Sequence, residues 1–141
     1  EKPSFRAAFK RRRCLVAASG FYEWDQHTQP KQPYHIVPAR GGLMAFAGLW
    51  EHWSPPGSDP LETCTILTTS ANGTLSPIYD RMPVILPPEK FDNWLSPDSD
   101  PAKLTSLLQP ATEDYLELQP ISTYVNNVRH IGPECIAPNP A

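Results

Sequence analysis

The sequence predicts an α+β domain in which short β-strands outnumber helices. Eighteen of the 141 residues are proline, well above the average share of roughly 5%. Long helices are therefore not expected, whereas short strands, turns and extended connections are. Runs of β-branched and aromatic residues alternate with segments that contain Pro and Gly. With 40% hydrophobic and 19% charged residues, the composition is that of a globular protein with one sizeable core.

A short helix opens the predicted fold and a long strand follows it. Ser4–Lys10 indicates a helix that places Phe5 and Phe9 on one face. Because this apolar face stands at the start of the sequence, we expect that the chain begins inside a domain. Arg13–Trp24 predicts one strand, in which Gly20 marks a bulge or a close approach of two backbones.

The middle of the chain predicts a hairpin and a buried strand. Pro33–Pro38 and Leu43–Trp53 are the two arms of the hairpin, which turns at Ala39–Gly42. Thr63–Thr69 is rich in β-branched residues and predicts a buried strand. Met82–Leu86 predicts a further short strand.

The last third of the chain predicts two helices and two strands. Pro87–Leu95 indicates a helix opened by prolines. Its inward-facing residues are expected to be Phe91, Trp94 and Leu95. Asp100 and Pro101 form an N-cap and first-turn pair for a helix that continues through Leu108. Strands are predicted at Tyr115–Gln119 and Ile121–Val125.

Basic residues are concentrated at the start of the chain. Residues 1–13 hold six Lys or Arg against Glu1, a local charge of +5, although the whole chain carries −3. A run of this kind can contact phosphates, but it can equally be the solvated end of a helix. The sequence leaves both interpretations open.

The cysteines and the hydrophobic pattern bear on location. Cys14, Cys64 and Cys135 show no CxxC spacing, which indicates reduced thiols rather than a disulfide framework or a zinc site. We expect Cys14 and Cys64 to be small core residues. No apolar run approaches the roughly 20 residues that span a bilayer, and no signal peptide is visible. These features predict a cytoplasmic protein that does not associate with membranes.

The most informative stretch is Cys14–Trp24, in which apolar and small residues lead to the lone carboxylate of Glu23, flanked by Tyr22 and Trp24. A strand that buries one face does not place Glu among aromatic side chains unless it has a partner or a function. Burial would raise the pKa of Glu23 toward the range where a carboxyl exchanges protons near neutrality. The alternative is a strand-end Glu that points at solvent.

Four stretches in a characteristic order carry a family resemblance. They are Phe21–Trp24, Phe46–Glu51, Thr65–Asn72 and Pro77–Leu86. Together they resemble the SRAP family, which comprises the bacterial SOS-response-associated peptidases and their eukaryotic relatives that process abasic sites in DNA. The resemblance extends from about residue 3 to about residue 136. It implies a curved mixed sheet or barrel-like core with a few short helices, in a single domain over residues 1–141.

The family resemblance also implies a chemistry. In SRAP proteins a cysteine at the extreme N-terminus attacks the aldehyde of an abasic deoxyribose with its thiol and α-amine, and a thiazolidine ring then ties protein to DNA. The implied function is abasic-site sensing in single-stranded DNA by a DNA–protein crosslink, with an associated autopeptidase activity. That cysteine and the family's Asn-Ala-Arg motif are absent from this sequence. We therefore expect an SRAP domain without its N-terminal catalytic segment.

The resemblance assigns functions to five residues. Glu23 corresponds to the catalytic Glu of the family, and Trp24 corresponds to a Trp that lines the DNA pocket. Thr68 corresponds to the threonine of the family's Thr-rich strand. Arg81 corresponds to the Arg of the His-Asp-Arg motif and would bind a DNA phosphate. Tyr79 stands where the family has His, and its ordinary pKa of about 10 makes it a poor proton carrier at neutral pH.

Other interpretations remain open at this point. Arg81 can instead form a structural salt bridge with Asp80 or Glu23. The chain can be a catalytically silent module that binds single-stranded DNA or acts as a scaffold, with Tyr79 as a genuine loss. A thiol hydrolase that uses Cys14 or Cys64 is disfavoured, because no His is well placed near either cysteine.

The sequence carries no metal-binding spacing, no phosphate-cradling Gly-rich loop and no Gly-x-Ser-x-Gly motif. We expect neither a cofactor nor a metal, and abasic single-stranded DNA as the partner. The four histidines (His27, His35, His52 and His130) are interpreted as surface residues rather than replacement catalysts.

Overall fold

Short β-strands make up most of the regular structure in the computed structural model, which describes residues 5–139. The strands of this part of the chain are β1 (Arg13–Ala18), β2 (Phe21–Trp24), β3 (Pro33–Pro38), β4 (Met44–Trp53), β5 (Leu61–Ile66), β6 (Thr68–Ser70), β7 (Arg81–Pro83) and β8 (Leu116–Pro120). Its α-helices are α1 (Arg6–Arg11), α2 (Phe91–Leu95) and α3 (Pro101–Ser106), and 3₁₀ helices occupy Pro88–Lys90, Thr123–Asn126 and Pro133–Ile136. The prediction of a β-rich α+β fold with a few short helices is confirmed.

The described strands form three sheets, with the orders β1-β4-β5, β2-β3-β8 and β6-β7. The β4–β5, β2–β3 and β3–β8 pairs are all antiparallel. Each order begins and ends with an edge strand, so none of these sheets closes on itself as a barrel does.

Tertiary contacts divide the chain into two compact units. The first unit comprises the chain up to Ala17 together with Ala45–Thr69 and Pro83–Gln109. The second comprises Ala18–Met44, Ser70–Met82 and the chain from Pro110 onward. The prediction that residues 1–141 form a single domain stays a prediction.

The core of the first unit surrounds Trp94, whose side chain is completely buried. The other buried members of this cluster are Ala8, Ala47, Leu49, Val84, Leu86 and Leu104. Helix α1 contributes Phe9, whose ring meets that of Trp94 edge-on with centroids 5.9 Å apart. Helix α3 contributes Leu104 and begins as predicted, because the Asp100 carboxylate accepts a hydrogen bond from the Ala102 N–H at 2.9 Å.

Arg13 is the main polar residue of this core. Its guanidinium is 8% exposed and donates to the backbone carbonyls of Phe9, Lys10, Trp94 and Ser96 at 2.5–2.7 Å. Burial lowers the pKa of Arg13. These bonds tie the end of α1 to α2, and the carbonyl groups at the ends of short helices are the groups that need such donors.

The basic run therefore has two structural members. Besides Arg13, Arg12 contacts the Glu51 carboxylate at 2.5 Å and the Trp50 carbonyl at 3.2 Å. Arg6, Lys10 and Arg11 are exposed on α1. Lys2 and Ser4, which belong to the predicted basic segment and helix, lie outside the described residues.

The core of the second unit lies against the β2-β3-β8 sheet. Ile36 at the centre of β3 is completely buried, as is Leu75, and Met82 is nearly so. Strand β3 pairs with β2 along one edge, with Phe21 opposite Ile36, and with β8 along the other, with Leu118 opposite Ile36. Both edges of β3 are thus occupied.

The predicted long strand Arg13–Trp24 is in fact two strands. β1 ends at Ala18 and β2 begins at Phe21, and the two belong to different sheets. Gly20 lies at the break, where a Cβ atom would overlap the His35 imidazole and stand 2.9 Å from the Ile36 carbonyl oxygen. The close backbone approach predicted at Gly20 is confirmed, and it explains why a side chain is excluded there.

The predicted hairpin around Ala39–Gly42 is wrong. β3 and β4 form as expected, but β3 pairs with β2 and β8, whereas β4 pairs with β1 and β5. Because both edges of β3 are already hydrogen bonded, the turn redirects the chain instead of closing a hairpin. Gly41 and Gly42 have φ values of 72° and 88°, which suit glycine.

Several burial predictions are also wrong. The Thr63–Thr69 region forms β5 and β6, but all six residues of β5, including Cys64, are exposed, and β5 is an edge strand of its sheet. Leu95 is 46% exposed rather than buried, although Trp94 faces inward as expected. Cys14 is half-buried. High β-propensity identified the strand without revealing which side of it is covered.

The predicted strand at Ile121–Val125 is a 3₁₀ helix instead. The Ser122 hydroxyl accepts a hydrogen bond from the Tyr124 N–H at 3.2 Å, which caps the helix Thr123–Asn126. Within this segment, Ile121 makes an isolated β-bridge to Pro138. The neighbouring strand prediction, Tyr115–Gln119, is confirmed within one residue by β8. No helix within residues 5–139 combines the length and apolar character needed to cross a membrane.

Replacing Arg13 tests the importance of its buried guanidinium. We expect Arg13→Leu to lower the free energy of unfolding by about 3 kcal/mol, because several carbonyl groups lose a charged donor in a buried place. Urea unfolding followed by circular dichroism measures the change. Arg11→Leu, at an exposed position of the same helix, should change stability by no more than about 0.5 kcal/mol. Equal losses in the two variants would contradict the assignment.

Candidate functional site

Strand β2 carries two of the predicted site residues, Glu23 and Trp24, on opposite faces of its sheet. In the β2–β3 register, Glu23 is opposite Tyr34 and Trp24 is opposite Pro33. Because side chains alternate along a strand, Glu23 shares a face with Phe21 and the buried Ile36. The expectation that Glu23 is held between the side chains of its two aromatic neighbours is therefore wrong.

The environment of Glu23 nevertheless favours a protonated carboxyl. Its side chain is half-buried rather than directed freely into solvent. Burial raises the pKa of Glu23 above its ordinary value, and the nearby charge of Asp80 raises it further. The backbone N–H of Trp24 donates to the carboxylate and partly opposes these effects. The net shift is upward, as predicted from the sequence, although burial on the core-facing side of the sheet causes it.

Asp80 belongs to a segment that also carries Tyr79 and borders a surface pocket. The pocket has a volume of about 320 Å³. It is lined by Gln26, His27, Ser76, Ile78, Tyr79 and Asp80. The loop after β2 therefore meets residues 76–80, and a hydrogen bond from the Gln26 N–H to the Ile78 carbonyl at 3.4 Å joins the two segments.

Asn72 fixes the start of this segment. Its side chain is 5% exposed, and its amide N–H groups donate to the carbonyls of Ala111 and Thr112 at 3.3 and 3.1 Å. Its carbonyl oxygen accepts from the Leu75 N–H at 3.1 Å. The Glu113 carboxylate accepts from the next backbone N–H groups, at 2.9 Å each. The segment that presents Tyr79 and Asp80 is thus anchored by the buried Asn72 side chain and by the exposed Glu113 carboxylate.

Trp24 is held by a hydrogen bond that the sequence did not suggest. Its indole N–H donates to the side-chain oxygen of Asn126 at 2.7 Å, and the Asn126 amide donates to the Lys31 carbonyl at 3.0 Å. The Tyr22 ring lies beside the indole, with centroids 6.1 Å apart and planes tilted by 48°. Trp24 is half-buried, so part of it stays accessible to solvent.

The other two predicted site residues occupy short strands. Arg81 is the first residue of β7, directly after Asp80, and its side chain is exposed. Thr68 is the first residue of β6, is exposed, and belongs to the first unit, whereas the other four belong to the second. Within the second unit, the charge of Asp80 acts on the Glu23 carboxyl and raises its pKa.

Sequence reasoning missed three residues that shape this site. They are Asn72 and Asn126, to which the sequence assigns no function, and His27, which the sequence analysis interprets as a surface residue. The contacts that bring these side chains to the site join segments distant in sequence, so no local pattern indicates them. Among residues 5–139, no group of three or more His, Cys, Asp or Glu side chains is arranged to hold a metal ion.

A half-buried acid under the influence of a second carboxylate, which itself borders a pocket, is the kind of arrangement that supports proton transfer. Comparison with known proteins identifies the family. The family model described as SOS response associated peptidase (SRAP) matches residues 1–128. The chain belongs to the SRAP family.

Relatives and solved structures agree with this membership. The chain is 45% identical over 138 residues to the abasic site processing protein YoqW of Bacillus subtilis. The matched region covers 96% of this chain and 62% of YoqW. It is 39% identical over 150 residues to the abasic site processing protein HMCES of Gallus gallus, covering 92% and 44% of the two chains. The chain thus spans less than two thirds of these relatives.

A crystal structure of a protein from Bacteroides thetaiotaomicron superposes with a TM-score of 0.90 at 29% sequence identity. The match covers 98% of this chain and 61% of the other. The predicted family membership and fold class are therefore confirmed.

Replacing Glu23 tests whether the pKa of its carboxyl is raised in the folded protein. A raised pKa means that the folded state holds the proton more tightly than the unfolded state, whose value is about 4.3. The free energy of unfolding should therefore fall as pH rises from that value through the folded pKa. In Glu23→Gln this loss is absent, so the variant should gain stability relative to the parent between pH 4 and pH 8. Urea unfolding at a series of pH values measures the free energy of unfolding, and Glu89→Gln, at an exposed position, is the control. If the stability difference between Glu23→Gln and the parent does not change with pH, the pKa of Glu23 is not raised.

Replacing Asn126 tests how Trp24 is held. Asn126→Ala should lower stability by about 1 kcal/mol and speed solvent exchange of the Trp24 indole N–H, because both side-chain hydrogen bonds disappear. Asn126→Asp retains an acceptor for the indole and should show slower exchange than the alanine variant. The indole signal is identified in NMR spectra by its loss in Trp24→Phe. Asn93→Ala, at an exposed position, serves as control, and unchanged exchange in Asn126→Ala would exclude the bond.

Proposed function

We propose that this chain recognises abasic sites in single-stranded DNA and takes part in their processing. The observations that carry the proposal are the raised pKa of the half-buried Glu23, to which the charge of Asp80 contributes, and the pocket of about 320 Å³ that Tyr79 and Asp80 border. The names of its relatives, abasic site processing proteins, support the same substrate. The chain spans only part of those relatives, so the activity of the whole protein is included in this proposal.

Glu23 is proposed to move a proton on the abasic sugar. An abasic deoxyribose is mostly a closed hemiacetal, and it must open to an aldehyde before an amine can attack. Ring opening requires removal of a proton from the anomeric hydroxyl and delivery of a proton to the ring oxygen. A carboxyl whose pKa is raised toward neutrality is suited to accept the first of these protons.

The proposed DNA contacts come from Trp24, Arg81 and Thr68. The half-buried indole of Trp24 offers a ring face for stacking against a base, since its N–H is already bonded to Asn126. The exposed Arg81 is suited to a phosphate oxygen. Thr68 lies in the first unit, and its contact with DNA is proposed from the family resemblance alone.

A stable crosslink in the family needs an N-terminal cysteine, and the cysteines of this chain are Cys14, Cys64 and Cys135. Within the 141 residues none of these thiols is joined to a free α-amine, so none closes a thiazolidine ring. Crosslinking and autopeptidase activity are therefore proposed only for a full-length natural protein that supplies that cysteine.

A second candidate function is a binding module without catalysis. Tyr79 favours it, because a phenol carries protons poorly near pH 7 and the family has His at this position. The two functions differ in whether the bound abasic sugar reacts faster than it does free in solution.

Binding measurements test the DNA contacts of the proposed function. We expect the 141-residue chain to bind abasic single-stranded DNA more tightly than duplex DNA, with affinity that falls as salt increases. Arg81→Ala should weaken binding and flatten the salt dependence by about one unit of slope. Trp24→Ala should cost roughly 1–3 kcal/mol of binding free energy. Fluorescence anisotropy provides the affinities.

The exposed Arg40, which lies 3.9 Å from Asp114, is the matched control for Arg81. Arg40→Ala should leave the salt slope unchanged. Folded Arg81→Ala and Trp24→Ala variants with parental affinity would refute the proposed contacts.

A further inference from the structure

The second unit contains an imidazole beside the family's altered catalytic position. His27 lines the same pocket as Tyr79 and Asp80. Its ring is exposed, and exposure lets an imidazole exchange protons with solvent after each transfer. The sequence alone places His27 in a polar turn after β2 and gives no indication of this meeting.

Hydrogen bonds keep the loop of His27 at the pocket. The Asp25 carboxylate accepts from the His27 N–H at 2.8 Å, and the Asp25 N–H donates to the Gln32 carbonyl at 2.9 Å. The backbone N–H of Gln26, the residue between Asp25 and His27, donates to the Ile78 carbonyl at 3.4 Å. The loop is therefore attached both to the end of β2 and to the segment that carries Tyr79.

Charged side chains lie near His27 on both segments. Asp80 and Tyr79 border it from one segment, and Asp25 precedes His27 in its own loop. Glu23 lies within range of the Asp80 charge. Lys31 is the cation of this loop, and its ammonium is hydrogen bonded to the Gln26 side chain at 2.5 Å.

We propose that His27 is the proton donor for opening the abasic sugar ring, the task for which Tyr79 is chemically unsuited. This inference rests on the proposed function, because it concerns the same substrate and the same pocket. It replaces the interpretation of His27 as an ordinary surface residue. Imidazole is the side chain whose ordinary pKa lies between pH 5 and 8, whereas a phenol at that pH only offers a hydrogen bond.

The step balances without any further reactant. The His27 imidazolium gives its proton to the ring oxygen of the deoxyribose as the bond between that oxygen and the anomeric carbon breaks. The Glu23 carboxylate takes the proton of the anomeric hydroxyl, and the electron pair of that O–H bond becomes part of the new aldehyde C=O. One proton passes from His27 to the sugar and one from the sugar to Glu23. Exchange with water restores both groups.

Trapping of the aldehyde measures this step in the 141-residue chain. Methoxyamine converts the open aldehyde to an oxime. When the methoxyamine concentration is high enough that the rate of oxime formation no longer rises, opening of the sugar ring limits the reaction. The chain should accelerate trapping on abasic single-stranded DNA. His27→Gln should reduce the acceleration by about 10-fold or more, since a positioned proton donor contributes roughly 10²–10⁴-fold. It should also remove the pH dependence between pH 5 and 8, with DNA affinity unchanged.

Two further variants separate chemistry from structure. Tyr79→His in the His27→Gln background should restore acceleration, because an imidazole then returns to the same pocket. For His27→Ala, added imidazole should restore the rate, and this rescue serves if the glutamine variant folds poorly. His52→Gln is the matched control, since His52 lies in the first unit, 3.5 Å from Glu62.

The results distinguish failure of the His27 assignment from failure of the proposed function. Acceleration by the parent that persists in folded His27→Gln, or fails to return with imidazole, overturns the inference and leaves the proposed function standing. Binding of abasic DNA without acceleration by the parent overturns the inference and favours the silent module. Absence of binding removes the proposed function itself, and the inference with it.

Discussion

The central position of β3 determines how the candidate site is built. Because β2 and β8 occupy its two edges, the register of β2 is set, and this register directs Glu23 to the side of the buried Ile36. A shift of one residue would move Glu23 to the opposite face and exchange it with Trp24. The raised pKa of Glu23 and the attachment of Trp24 to Asn126 both follow from this pairing.

A second set of contacts supports the segment that carries Tyr79 and Asp80. The buried Asn72 side chain and the Glu113 carboxylate hold the turn that begins this segment, so Tyr79 and Asp80 are presented at a defined place. Removing one partner of a buried polar group leaves the other unsatisfied, which makes such contacts costly to lose. This chain thus combines an acid on a sheet with a turn held by polar side chains, and the proposed chemistry uses both.

Tyr79, at the position where the family resemblance implies His, bears on both proposed functions. A motif comparison registers a lost histidine, and that loss favours a silent module. In three dimensions the pocket holds another imidazole, His27, from the loop after β2. A proton carrier can be supplied from any element that reaches the reacting atoms, since proton transfer depends on distance and proton affinity rather than on chain position.

The sequence by itself determined the family, the β-rich class, the cap of α3 at Asp100 and the close approach at Gly20. Each depends on local residue types or on motif order, and these are visible without a fold. It did not determine that β3 pairs with β2 and β8 rather than with β4, that β5 is exposed, or that Asn126 holds Trp24. Those features depend on which segments meet across long stretches of chain. Only the tertiary structure decided them, because pairing energy comes from contacts that no local pattern encodes.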